Sequence, residues 1–133
     1  MEDATLDCQG NSASAIGASN YTARRVDASN CENVLWVDGN VTIEDSYLHD
    51  PIPYNIVTDP HTDTVQLPSG ASNVTIRHNR IYGNYLSASD FGNSAITTGG
   101  GVSNLLIENN LLAGGGYTLR CEGGGNTTLS RAQ

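Results

Sequence analysis

Apolar residues along this chain fall in short bursts at alternate positions, and no window keeps helical spacing for more than two turns. A period of 2 predicts strands with one buried face, and the Gly, Asn, Ser and Thr between the bursts predict turns. Three bursts repeat one another: NVTIEDSYLHD at 40–50, NVTIRHNRIYGN at 73–84 and NLLIENNLLAGG at 104–115. In register, Val41, Val74 and Leu105 coincide, then Ile43, Ile76 and Ile107, then Leu48, Ile81 and Leu112. Glu44, Arg77 and Glu108 form a solvent-side column of alternating sign, and Ser46, Asn79 and Asn110 form a polar one.

Upstream of each copy lies another predicted strand ending in a turn: VLWVDG at 34–39, VQLPSG at 65–70 and AITTGG at 95–100. AIGASNYTARRVDAS and TLRCEGGGNTTLS, near the two ends, are weaker copies. A chain that returns to the same register after every turn must stack equivalent side chains, like on like. The expected fold class is therefore all-β: a short parallel β-helix, a solenoid of roughly five or six coils of about 20 to 30 residues, spanning 1–133 as one domain. Stacked Ile and Leu would fill its narrow core, and stacked Asn would bond along the axis at about 4.8 Å.

Composition narrows the functional classes. The 133 residues carry 6 Lys+Arg against 14 Asp+Glu, a formal charge of −8, and every basic residue is arginine. Such a chain cannot assemble a phosphate-neutralising stripe, so nucleic acid and anionic membranes are not expected partners. No apolar run approaches the roughly 18 residues of a membrane-spanning helix. MEDATLDCQG has neither a positive n-region nor an apolar h-region, so no signal peptide is expected in this sequence, which leaves room for the mature form of a secreted precursor.

The coils NVTIRHNRIYGN and NLLIENNLLAGG resemble those of right-handed parallel β-helix proteins of the pectate-lyase-like superfamily, over nearly the whole chain. The resemblance implies a right-handed helix. It leaves activity open, because the superfamily holds pectate and alginate lyases, polygalacturonase-like hydrolases, epimerases and phage tail or adhesin modules.

Interruptions of a solenoid mark its functional surface. PIPYNIVTDPHT at 51–62 follows the first matched copy, and NYLSASDFGNS at 84–94 follows the second. Both leave at the same register position and should project side by side, bordering a groove. They gather His49, Asp50, Tyr54, Asp59, His61 and Asp63 with Tyr82 and Tyr85. Aromatic rings with acids and imidazoles suit a sugar, whose faces stack on Tyr and whose hydroxyls take hydrogen bonds. Equally, the rings could only fasten the loops to the coil.

In HTDTVQ, inward Val65 and Leu67 would leave Thr64 and Gln66 facing out beside His61 and Asp63. In polygalacturonase-like hydrolases an Asn-Thr-Asp at this place supplies a catalytic acid, which the resemblance puts at Asp63 with His61 in place of Asn. The rest of that signature is missing, and no partner carboxylate is evident for inverting hydrolysis. For β-elimination on uronic acids, the β-helix lyases use a lysine or arginine base and Ca²⁺ as neutraliser. Here the candidate catalytic set is His61, Asp63, His49 and Arg80, with Tyr54, Tyr82, Tyr85, Gln66 and Arg77 for substrate. Asp45, Asp50 and Asp59 are weak candidates for Ca²⁺, a hard cation that takes several oxygen ligands. His78 is expected to be a stacked, hydrogen-bonded residue; Trp36 could lie outward as a sugar platform or pack near the thin end of the core, and packing is favoured.

Cys8 and Cys31, 23 residues apart, could form a disulfide between adjacent coils or stack as free thiols, and Cys121 is expected to be unpaired and buried. A bridge would imply an oxidising compartment. The N-x-T sequons at Asn20, Asn40, Asn73 and Asn126 are explained by turn geometry at Asn40 and Asn73 without glycosylation. Neither end resembles a cap, which leaves two expectations: the chain is a fragment or minimal form of a solenoid, or its ends are covered by another copy in an end-to-end homo-oligomer. The function anticipated is that of an extracellular or secreted polysaccharide-active β-helix, with a lyase favoured over a glycoside hydrolase. The rival is a non-catalytic structural, adhesive or carbohydrate-binding module.

Overall fold

The structure is a computed structural model and describes residues 1–10, 14–52, 62–83, 92–123 and 127–130. Among these residues there are twelve strands and no helix: β1 (Glu2–Asp7), β2 (Ser14–Ser29), β3 (Asn33–Glu44), β4 (Tyr47–Leu48), β5 (Thr62–Leu67), β6 (Ser72–Arg77), β7 (Arg80–Gly83), β8 (Gly92–Thr98), β9 (Ser103–Glu108), β10 (Leu111–Gly114), β11 (Tyr117–Cys121) and β12 (Thr127–Ser130). Every pairing between them is parallel. The chain is a short parallel β-helix whose coils each contribute to three ladders, here called faces 1, 2 and 3 in the order the chain visits them.

On face 1, Ile16, Leu35, Val65, Ile96 and Leu119 stand in register on successive coils. On face 2 the sequence is Ala23, Ile43, Ile76, Ile107. On face 3 it is Leu6, Ala28, Leu48, Ile81, Leu112. Val41, Val74 and Leu105 are also in register on face 2, so all three columns expected from the repeat are stacked, and with the face 1 column they meet in one core in which Ile43, Ile76, Ile81, Ile96 and Ile107 are fully buried. Burial of each such side chain contributes about 1.5–3 kcal/mol, which is the main force holding coil to coil.

The corners follow from residues that accept a left-handed backbone. Asn20, Asn40, Asn73 and Asn104 open the second face with φ of 62°, 52°, 57° and 50°, a region asparagine tolerates better than most residues. Their amides form a ladder: Asn40 Nδ2 donates to Asn20 Oδ1, Asn73 to Asn40 and Asn104 to Asn73, at 3.0, 3.0 and 2.7 Å. These bonds span 20, 33 and 31 residues, so the second and third coils are the long ones that hold the interruptions. Both interruptions leave from the corner between faces 3 and 1, where the coils before and after them turn tightly. At that corner backbones crowd: a Cβ on Gly83, at the end of β7, would lie 2.9 Å from the Ala95 nitrogen of β8, and one on Gly114, at the end of β10, would overlap the Gly83 carbonyl oxygen. Only glycine lets the two chains approach so closely.

This pinch corrects one expectation. Thr64 does not face out. It is fully buried, and its hydroxyl donates to the Tyr82 carbonyl at 2.8 Å, because the end of face 3 lies against the start of face 1. The alternating-charge column is also not solvent-side throughout. Arg24, Glu44, Arg77 and Glu108 are in register on face 2, and the Glu44 side chain, 5% exposed, is roofed by Arg24 and Arg77 on either side. Hydrogen bonds from Arg77 and then Arg24 hold its carboxyl below the usual range.

Candidate functional site

On the outer side of face 1, Gly17, Trp36, Gln66, Thr97 and Arg120 form one column along the helix axis. Beside its upper half lies a cleft of about 400 Å³, lined among others by Asp63, Gln66, Thr97, Thr98, Arg120 and Glu122. Its size is that of a small-ligand site. Asp63 forms part of the floor: it is 1% exposed, and its main-chain N–H donates to Asn33 Oδ1 at 3.1 Å. The hydroxyls of Ser94 and Thr97 share a hydrogen bond of 2.5 Å. Arg120 pairs with Glu122 at 2.5 Å and lies 5.8 Å from the Tyr117 ring centroid, within cation–π range. Amide, hydroxyl, guanidinium and carboxylate thus converge in a volume suited to a ligand rich in hydroxyl groups.

A second cluster stands on the outer side of face 3, where Asp27, Tyr47, Arg80 and Leu111 are in register. His49 lies flat against Tyr47, with centroids 4.0 Å apart and planes 16° apart, and Tyr82 meets Tyr47 edge-on at 5.8 Å. Both His49 ring nitrogens meet carboxylates: Nδ1 lies 2.6 Å from Asp50 and Nε2 2.9 Å from Asp27. Burial works against charging the ring, but the hydrogen bonds to Asp50 and Asp27 outweigh it and raise its pKa above the ordinary histidine value.

The expected site residues therefore fall in separate places. Asp63 and Gln66 share the face 1 cleft, while His49, Arg80 and Tyr82 share face 3. Arg77 lies on face 2, engaged by Glu44. Asp45 sits at the corner between faces 2 and 3, 3.7 Å from His78, and Asp50 is taken up by His49. His61, Tyr54, Tyr85 and Asp59 lie outside the described residues. Among the described residues no group of three or more His, Cys, Asp or Glu is arranged to hold a metal ion. Of the three acids named for Ca²⁺, Asp45 and Asp50 stand at different corners, each beside a histidine, and Asp59 is outside the described residues.

Two further expectations are corrected. Trp36 is not a core residue. Its neighbours Leu35 and Val37 point inward and are fully buried, whereas Trp36 is half-buried on the outer side with its indole N–H donating to Asp38 at 2.8 Å. Cys121 is free but exposed, because it lies on β11 near the C-terminal end of the stack. The open question at the other end is resolved as a disulfide, Cys8–Cys31, with Cα atoms 5.1 Å apart. His78 is stacked as expected, with Asn109 Nδ2 3.2 Å from its Nε2.

Sequence reasoning missed Arg120, Thr97 and Glu122. The signal was available, since aligning TVQL, AITT and TLRC places Arg120 and Thr97 in the column of Gln66. It also missed Asp27, which only the register of β2 with β4 brings to His49. No protein-family model, curated protein or solved structure matched this chain.

Proposed function

We propose that this chain is an extracellular, polysaccharide-binding β-helix of the pectate-lyase-like kind, which takes a stretch of glycan along the outer side of face 1. One observation carries the proposal: the polar cleft holding Asp63, Gln66, Thr97 and Arg120 stands in line with Trp36 along the axis. An aromatic plane offers a sugar ring its face, and the cleft offers hydrogen-bond donors and acceptors for its hydroxyls. The formal charge of −8 opposes a polyanion and favours a neutral glycan. The Cys8–Cys31 disulfide supports an oxidising compartment.

Cleavage by β-elimination is the second reading, favoured by the presence of Arg120 and Asp63 in one cleft. In that chemistry the guanidinium meets a uronate carboxylate, a base removes the proton alpha to it, and the glycosidic C–O bond breaks to leave a double bond in the sugar while the departing oxygen takes a proton from an acid or from water.

The test is binding to a panel of neutral and uronic-acid polymers, with absorbance of the unsaturated product followed with and without chelator. Retention of a neutral glycan that weakens in Trp36→Ala, Gln66→Ala and Arg120→Ala supports the binding reading. Product absorbance supports the lyase. Silence in both assays overturns the two together and leaves a structural module.

A further inference from the structure

The His49 cluster lies apart from the cleft and has a chemistry of its own. A neutral imidazole has one N–H and one lone pair, so it can donate to one carboxylate only. His49 faces a carboxylate oxygen from each ring nitrogen, Asp50 at 2.6 Å and Asp27 at 2.9 Å, and this geometry is satisfied only by the doubly protonated ring. The two acids belong to different coils: Asp27 lies on β2, and Asp50 follows His49 on the next coil. The same corner carries three main-chain bonds between these coils, His49 N–H to Ala28, Asn30 N–H to Asp50 and Ile52 N–H to Cys31, at 3.0, 3.0 and 2.8 Å.

We propose that His49 is a pH-sensitive clamp between two coils, closed when the ring is charged and released when it loses its proton. On release the neutral ring must turn away from one carboxylate, and Asp27 and Asp50 lose the cation they share. The flat stack on Tyr47 loses its electrostatic part at the same time. The corner so loosened is the one from which the first long coil departs, and the Cys8–Cys31 disulfide anchors its other side.

The surroundings set the window. From β2 the ring faces Asp27; from its own turn, Asp50; and from β4, the Tyr47 ring, which Tyr82 of β7 meets edge-on and beside which Arg80 stands in register. Asp7 on β1 pairs with Ser29, on the strand next to His49, and is already held by Asn30 and Gln9. Arg80 is the cation among these groups, and its place in the ladder is beside Tyr47. The folded-state pKa of His49 is raised, so the clamp contributes fully below the unfolded value of about 6.5 and is lost as pH rises through the folded value. The proposal is independent of the glycan reading.

The test follows the His49 ring nitrogens by NMR through a pH titration of the whole chain, in the wild type and in Asp27→Asn and Asp50→Asn. Both acids are more than half exposed, so either variant is expected to fold. Both nitrogens should carry protons at pH 6, the midpoint should lie above the ordinary value, and each variant should lower it. Tyr47 ring protons should shift with the same midpoint. Amide exchange at Ile52 should be about twofold to fivefold faster in His49→Gln than in the wild type at pH 6, the worth of one partly exposed ion pair, and equal above the midpoint. A single protonated nitrogen at pH 6, a midpoint unmoved by both variants, or exchange at Ile52 indifferent to His49 would overturn the clamp.

Discussion

Asn110 Oδ1 accepts two hydrogen bonds from Asn79 on the coil before it, one from the main-chain N–H at 2.9 Å and one from the side-chain amide at 3.0 Å. The pattern repeats down the stack. Asn79 Oδ1 accepts from Ser46 N–H at 2.9 Å, and Ser46 Oγ accepts from Val26 N–H at 3.1 Å. All three side chains are buried where the chain turns from face 2 to face 3, so the ladder supplies partners for main-chain groups that the turn takes out of strand pairing.

Asn79→Ala strands the Ser46 N–H and the Ile43 carbonyl, which now takes a bond from Asn79 Nδ2 at 2.9 Å. With a cost of about 1–3 kcal/mol for each buried group left unpaired, the loss should be about 2–6 kcal/mol in urea denaturation. The exposed asparagine ladder behaves differently. Asn40→Gly should be nearly neutral because glycine accepts its φ of 52°, whereas Asn40→Ala should cost about 1–2 kcal/mol for the left-handed backbone. Equal losses in Asn79→Ala and Asn40→Gly would show that the buried ladder has no special role.

Ile76→Ala should cost about 2–5 kcal/mol, because Ile43 and Ile107 stack directly on either side of it and the backbone ladders prevent collapse into the space left. Leu112→Ala, at the 8% exposed end of its column, should cost less. The comparison is made by denaturant midpoint at constant slope.

The core was legible because the spacing of Val41, Ile43 and Leu48 recurs at Val74, Ile76 and Ile81 and again at Leu105, Ile107 and Leu112, and a recurring register admits little besides stacking. What lies on the surface was less so. The fate of Glu44 depends on Arg24, which belongs to a weak copy that alternation alone does not align. Thr64 is buried by the approach of β7, a contact between faces that no local pattern encodes. The cleft was half visible: Asp63 and Gln66 were singled out, but Arg120 reaches it only through register across three coils, and packing was favoured for Trp36 over the outward alternative although it alternates with Leu35 and Val37.

The cysteines offer a chemical check on the stack. Cys121 is exposed and should react with a thiol reagent in the folded protein as a single mass addition, with Cys8 and Cys31 protected until reduction. Breaking the bridge by Cys8→Ser with Cys31→Ser should cost about 2–4 kcal/mol, since it closes a loop of 23 residues in the unfolded chain. Three reactive thiols without reductant would refute the bridge.

Glu44 should make the fold sensitive to acid. Its carboxylate is bonded by Arg77 and Arg24, so its pKa is lowered in the folded state, and its contribution is present above the unfolded value and lost as pH falls through the folded one. Glu44→Gln keeps the size of the side chain and removes the charge. Arg24 and Arg77 then face each other across two strand spacings, roughly 10 Å, with Glu2 near the first and Glu108 and Asp45 near the second to offset them in part. The variant should unfold at lower urea than the wild type at pH 7, and the gap should close as the pH is taken below about 4, near the ordinary glutamate value. Salt should narrow the gap only in part, because the Glu44 side chain is 5% exposed while its arginine partners are open to solvent. A gap that stays constant from pH 7 to pH 3 would mean that Glu44 acts by packing rather than by charge.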